Sequence, residues 1–220
     1  MPTSCGPTEQ AAYPAANPDT DTSSERARLR REMLALRRSL EPVEHARLSA
    51  ALEAQLALAF AALPPGVLAF CWPIRGEFDA RPLVCRLLAA GWRAVIPTVT
   101  QREAPMTFRA WTPATPMGVD PFGIPVPVPA AEATPDVLLL PLVAFDDAGY
   151  RLGYGGGYFD RTLVRMVPRP QAWGVGFDAL RIATLHPQAH DIRLDAVITE
   201  SGVRSYPRLQ SGDFPLANAT

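Results

Sequence analysis

Lysine is missing from this sequence: all 21 basic residues are arginine, set against 22 acidic residues in a chain of 220. That absence removes two kinds of chemistry. A P-loop nucleotide site needs a lysine on the β- and γ-phosphates, and Schiff-base catalysis needs an ε-amine. Any phosphate bound here must be held by guanidinium groups, by backbone N–H groups or by a metal ion. Cysteine is scarce. Cys5, Cys71 and Cys85 are odd in number and form no C-x-x-C pair, which argues against a disulfide framework or zinc site and for a reducing cytoplasm. Long apolar runs are missing as well. The greasiest stretch, Val137 to Phe145, falls far short of the ~20 residues that span a bilayer. The chain does not open on a basic region followed by an apolar core, so no signal peptide is expected. A net charge of −1 provides no global field for nucleic acid or membrane.

What is present suits a globular protein with one large core or two small ones, at 48% hydrophobic and 20% charged residues. Residues 1–24 are rich in Pro, Ala, Thr, Asp and Ser without apolar period, and read as a disordered tail. Thr22 to Glu25 spells a T-x-x-E capping box. Beyond it Leu29, Met33, Leu36 and Leu40 recur at helical spacing. Pro42 suits the first turn of a second helix with Leu48, Leu52, Leu56 and Leu63 inside, and Pro64-Pro65-Gly66 stops it. Strands are expected at Val67–Trp72, Arg93–Pro97, Met106–Trp111, Val137–Leu140, Trp173–Phe177 and Ala196–Thr199, and helices at Arg81–Ala90 and Tyr158–Val167. The proline-rich residues 112–135 read as an extended surface connection. The βαβ order predicts an α/β domain, residues 25–205, with a mainly parallel central sheet flanked by helices, followed by a tail over 206–220. Ligands of such sheets gather beyond the carboxyl ends of the strands.

The densest chemical signal is Arg151-Leu152-Gly153-Tyr154-Gly155-Gly156-Gly157-Tyr158-Phe159-Asp160-Arg161. It follows a buried strand and a turn, and runs into a helix. Closely spaced glycines let backbone N–H groups converge on an anion, and a helix N-terminus adds partial positive charge at the same place. Arg151 can add a bidentate phosphate contact. Asp160 would repel phosphate directly, so it makes sense as a ligand of a bridging Mg²⁺.

The string Asp136–Arg161 closely resembles the signature of the 5-formyltetrahydrofolate cyclo-ligase (methenyltetrahydrofolate synthetase) family, and a looser resemblance runs from about Arg26 to Thr199. It implies a three-layer fold of the NagB/RpiA/CoA-transferase-like kind. It also implies ATP- and Mg²⁺-dependent conversion of 5-formyltetrahydrofolate, with or without a polyglutamate tail, to 5,10-methenyltetrahydrofolate, ADP and phosphate. Arg26 and Arg30 match the family's phosphate-gripping helix, with Arg26 where lysine is usual. ATP would then meet Arg26, Arg30, Arg151, Gly153, Gly155, Gly156, Gly157, Tyr158 and Phe159. The folate would meet Trp72, Glu77, Tyr154 and Tyr158, with Glu77 taking the donor edge of the pterin and Trp72 stacking on the ring. Asp191, in His186-Pro187-Gln188-Ala189-His190-Asp191, would join Asp160 at Mg²⁺, and His190 is read as a loop residue. The catalytic residues implied are Arg151, Tyr158 and Asp160.

In the chemistry this implies, the formyl oxygen attacks the γ-phosphorus, N10 attacks the activated carbon, and phosphate departs, so no protein nucleophile is called for. Two further departures from the family pattern are Phe159, where a second tyrosine is common, and Val126, where glutamate is frequent. The latter is expected to be tolerated because it lies outside the phosphate loop. Other readings are a relative acting on a different amide and a degenerate, non-catalytic module. The first would be expected to differ at Trp72 and Glu77, the second to have an eroded glycine loop. Oligomeric state is open, a monomer being compatible with the sequence.

Overall fold

The computed structural model describes residues 21–128 and 130–208, and of residues 21–23 the backbone alone. Helices α1 (Asp21–Arg38) and α2 (Pro42–Ala61) come first. They are followed by β1 (Val67–Ala69), α3 (Arg81–Ala89), β2 (Arg93–Thr98) and β3 (Thr107–Trp111). A hairpin of β4 (Met117–Val119) and β5 (Pro125–Pro127) leads to β6 (Val137–Pro141), β7 (Ala144–Asp146) and β8 (Arg151–Leu152). The remainder is α4 (Tyr158–Arg165), β9 (Gln171–Val175), a 3-10 turn at Asp178–Leu180, β10 (Arg181–Ile182), β11 (Ala196–Thr199) and β12 (Gly202–Ser205).

Seven strands form the main sheet in the order β12-β11-β9-β6-β1-β2-β3. The five central strands are parallel, and β3 and β12 close the two edges antiparallel. Strand β6 shows why the centre is parallel and double-sided: Val137 and Leu139 enter one core cluster and Leu138 and Leu140 the other. Leu52, Leu56 and Phe60 of α2, with Leu83 and Val84 of α3, cover the first face. Leu163 of α4 and Met33 of α1 pack against the second. The result is the three-layer arrangement expected.

Several expectations are corrected. Helix α1 begins at Asp21, so Thr22 lies inside the helix rather than at its cap, and residues 21–24 are helical; the rest of the expected N-terminal tail lies outside the described residues. Leu36 is exposed: Leu29 and Met33 form the docked stripe of α1, and Leu40 packs only after the helix has ended. Phe60, not Leu63, continues the inner face of α2, which ends at Ala61. Strand β1 stops at Ala69, freeing Phe70 to Trp72 to lead into the site, and β9 lies two residues earlier than expected, in register with β6 along its whole length. Helix α4 ends at Arg165, leaving Val167 exposed. Residues 112–135 are not a plain surface connection. They form the β4–β5 hairpin, which buries Phe122 and Val126. The small sheet β10-β7-β8 and edge strand β12 were not foreseen. Beyond residue 205, Tyr206 is buried and Arg208 donates to Asp195 at 2.8 and 3.0 Å, so the first residues of the expected tail belong to the fold; 209–220 lie outside the described residues. Among the described residues no helix is long and apolar enough to cross a membrane.

Candidate active site

After β1 the chain crosses through α3 to β2 on one side, then returns to β6 on the other side of β1. The strand order therefore reverses between β1 and β6, and α/β sheets bind ligands beyond the carboxyl ends at such a point. A cavity of about 400 Å³ opens there, floored by Cys71 and Trp72 after β1, Ile96 and Pro97 of β2, and Pro141 of β6. Every site residue named from the sequence lines it, so segments separated by up to 165 positions meet in one cavity.

One end of the cavity is cationic. The glycine string leaves β8 and enters α4 through Gly157, whose φ of +61° suits glycine and whose Cβ would lie 2.8 Å from Arg161. Two guanidinium groups take carbonyl oxygens of this loop: Arg30 Nε donates to Gly153 O at 2.9 Å and Arg161 donates to Gly156 O at 2.6 Å. With these two carbonyls satisfied, loop N–H groups and the start of α4 are the groups suited to an anion. Burial, then the neighbouring Arg26, lowers the Arg30 pKa, with Asp191 opposing, yet an arginine stays charged at any ordinary pH.

The other two arginines expected to meet phosphate are paired with the two carboxylates expected to meet a metal. Arg26 holds Asp191 through both nitrogens at 2.9 and 3.2 Å. Arg151, buried on β8, donates to Asp160 Oδ1 at 3.0 Å and to Ile192 O at 2.9 Å. Asp160 Oδ1 also accepts the Ile192 N–H at 2.9 Å, so both bonds of this carboxylate fall on one oxygen. Asp191 also accepts from Gln188 N–H at 2.8 Å. Among the described residues no three His, Cys, Asp or Glu side chains cluster as a ready-made metal site. The donor set is at most two carboxylates, which suits Mg²⁺ completed by phosphate oxygens and water. His190 lines the cavity from an exposed loop.

The opposite end carries a buried carboxylate. Glu77, 8% exposed, accepts the Tyr154 hydroxyl at 2.5 Å on Oε1 and the Ile74 N–H at 3.0 Å on Oε2. Burial pushes its pKa up, opposed first by Arg37, then by Tyr154, the Ile74 N–H and Arg75. The Tyr154 phenol is pushed up by burial and by the Glu77 charge, so it remains a donor. Trp72 carries the Arg81 guanidinium 4.5 Å above its ring centroid, and Asp79 fixes that guanidinium at 2.6 Å. Beneath it the Cys71 thiol is held neutral by burial and by Glu77.

Tyr158 sits between the ends. Its ring meets Phe122 edge-on at 5.7 Å and lies 4.9 Å from the Arg161 guanidinium, while its hydroxyl accepts the Glu103 N–H at 3.5 Å. That hydroxyl is turned toward the 100–106 loop. Phe159 packs its ring against the second core cluster, and Val126 is a core residue. Sequence reasoning missed Arg37 and the hairpin wall formed by Asp120 and Ile124. A signal for Arg37 was available: it follows Arg26 and Arg30 by eleven and seven positions, whole helical repeats that put all three on one side of α1.

Comparison with known proteins agrees with the resemblance. The model of the 5-formyltetrahydrofolate cyclo-ligase family matches residues 22–200. The chain is 36% identical over 135 residues to the 5-formyltetrahydrofolate cyclo-ligase of Escherichia coli (strain K12), covering 58% of this chain and 74% of that one. It is 30% identical over 136 residues to the enzyme of that name from Mycolicibacterium smegmatis, covering 58% and 70%. Its structure superposes on an Aquifex aeolicus 5,10-methenyltetrahydrofolate synthetase with a TM-score of 0.71 at 30% identity, over 88% of this chain and 99% of that one. A Mycoplasma pneumoniae synthetase shares the fold at a TM-score of 0.68 and 23% identity, over 80% and 99%.

Proposed function

The chain belongs to the 5-formyltetrahydrofolate cyclo-ligase family, and from that premise we propose that its cavity closes 5-formyltetrahydrofolate to 5,10-methenyltetrahydrofolate, with ATP converted to ADP and phosphate. The observation that carries this reading is the polarity of this cavity: guanidinium and glycine N–H groups toward one end, the buried Glu77 carboxylate, in the same lining as Trp72, toward the other. The first end is suited to a triphosphate and the second to the donor edge of a pterin.

The oxygen of an N-formyl group is a poor leaving group. When it attacks the γ-phosphorus, the P–O bond to ADP breaks and the N5 electron pair conjugates with the carbon, giving an imidate-like phosphate ester. N10 then adds to that carbon and gives its proton to solvent, and the C–O bond breaks to release phosphate as the N5=C–N10 unit forms. None of these steps calls for a protein nucleophile. The protein's work is to hold the formyl oxygen and the γ-phosphate in line and to balance charge, in which positioning is worth ~7–11 kcal/mol in favourable cases.

The paired ions fit this role. Arg26 with Asp191 and Arg151 with Asp160 are neutral couples in the ligand-free protein. On binding, each arginine turns to phosphate and each carboxylate is released to a cation, so no buried charge is left unmatched. Asp160 and Asp191 are the residues to hold Mg²⁺, whose chemistry here is neutralisation of the triphosphate. Tyr154 would border the folate at the Glu77 end, and Tyr158 would present its ring to the cavity while its hydroxyl stays with the 100–106 loop.

Mixing the purified protein with 5-formyltetrahydrofolate and Mg·ATP and following near-ultraviolet absorbance tests the reading. Methenyl product should accumulate one-for-one with ADP. ATP binding without methenyl product, under conditions where a family member turns over, would assign the site to a different amide substrate.

A further inference from the structure

Arg37 is buried to 3% exposure and stands behind the cavity rather than in its lining. Its donors reach three segments that build the site. Nε donates to Arg75 O at 3.1 Å, one terminal nitrogen to Leu142 O at 2.8 Å, and the other to the Tyr154 hydroxyl at 2.6 Å. The last nitrogen also lies 3.7 Å from Glu77 Oε1. One guanidinium on α1 thus ties together the loop carrying Glu77, the residue following β6 and the glycine string.

We propose that Arg37 is a positioning residue for folate recognition: directly and through the Tyr154 hydroxyl, it holds the Glu77 carboxylate as the acceptor that meets the pterin. The inference rests on the reading above that Glu77 takes the pterin edge. The relay is directional. Arg37 donates to the Tyr154 hydroxyl, which gives its own proton to Glu77 Oε1, and Ile74 N–H fixes Oε2. Rotation of the carboxylate is blocked at both oxygens. Its charge is balanced as well as aimed. Burial raises the Glu77 pKa, and Arg37 is the foremost influence against it, ahead of Tyr154, the Ile74 N–H and Arg75. On the segment that follows β1, the Cys71 thiol lies near this carboxylate, and burial keeps it neutral. A purely architectural arginine would affect stability and both ligands alike. A positioning arginine acts on the pH at which the folate end works.

The test measures binding of 5-formyltetrahydrofolate to the full chain without nucleotide, by calorimetry from the ordinary carboxylate range upward through neutral pH. Affinity should fall as pH drops through the Glu77 pKa. In Arg37→Met the main stabiliser of the carboxylate is gone, so that midpoint should move alkaline, and affinity on its acid side should fall roughly 10-fold for each pH unit of the move. Arg37→Lys keeps the charge and should restore much of the midpoint. Tyr154→Phe leaves Arg37 in place, guards against a folding failure, and should move the midpoint the same way by less. Mg·ADP affinity should stay within about twofold throughout. Weaker folate binding with an unmoved midpoint, or equal loss of folate and nucleotide, would overturn the role given to Arg37. Glu77→Gln separates the two levels of the argument: it should weaken folate binding and flatten the pH dependence. Wild-type folate affinity in that variant would overturn the Glu77 reading itself.

Discussion

Asp160 accepts both of its hydrogen bonds on Oδ1, from Arg151 and from the Ile192 N–H. An asparagine can present its single carbonyl oxygen in the same position and keep both bonds. What it loses is charge, and the second oxygen becomes an N–H₂ group that repels a cation. Asp160→Asn therefore separates the metal role from the structural one. Turnover should fall by ~10²-fold or more, the scale of losing one preorganised charge-stabilising group, and the Mg²⁺ concentration for half-maximal rate should rise. Thermal denaturation should shift by no more than about 4 °C, equivalent to about 1 kcal/mol in a domain of this size. A variant with normal turnover and normal Mg²⁺ response would remove Asp160 from the metal site.

Glycines in and before the loop between β8 and α4 answer to different demands. A Cβ on Gly153 would meet nothing within 4 Å, so the fold does not require glycine there. A Cβ on Gly149, by contrast, would lie 2.7 to 2.9 Å from the Tyr206 ring at a φ of +87°, so the turn before β8 does require it. The two alanine variants should behave oppositely. Gly153→Ala should leave the melting temperature within about 1 °C, because surface changes without a contact cost little. Under the proposed function its methyl group would enter space that the phosphates need, so KM for ATP should rise about tenfold, or about 1.4 kcal/mol. Gly149→Ala should lower the melting temperature by several degrees and leave both KM values unchanged. If Gly153→Ala bound ATP normally, the loop's N–H face would not be the phosphate site. The arginines of α1 belong to the same logic. Arg26, Arg30 and Arg37 dock that helix by reaching Asp191, Gly153 O and Leu142 O, so its placement follows from polar contacts as much as from Leu29 and Met33.

Across the whole molecule, the glycine string was legible because its chemistry is contiguous, and the parallel sheet because β6, β9 and β11 read as short apolar runs alternating with other segments. The hairpin at 117–127 was not, since prolines at both ends of β5 hide a strand whose pairing is with β4 alone. Arg37 was hidden for a related reason: an arginine in a basic helix looks solvated until Tyr154 and Glu77, 117 and 40 positions away, come to meet it. Strand β8 has only two residues and pairs with β7, too short for any period to show. The cavity is assembled from α1, three central strands, the hairpin, the glycine string and the 188–191 loop, so a ligand that the proposed function seats there should be released by unfolding. Each ligand at about 100 times its Kd should then add ~2.7 kcal/mol to stability, which raises the melting temperature by roughly 5–10 °C at 2–4 °C per kcal/mol. Mg·ADP and 5-formyltetrahydrofolate avoid turnover and, under the proposed function, take opposite ends, so together they should give roughly the sum of their separate shifts. Glu77→Gln should abolish most of the folate shift and keep the nucleotide shift. A folate shift that survives Glu77→Gln, or two ligands whose joint shift is no larger than one alone, would mean that they share one end of the cavity rather than dividing it.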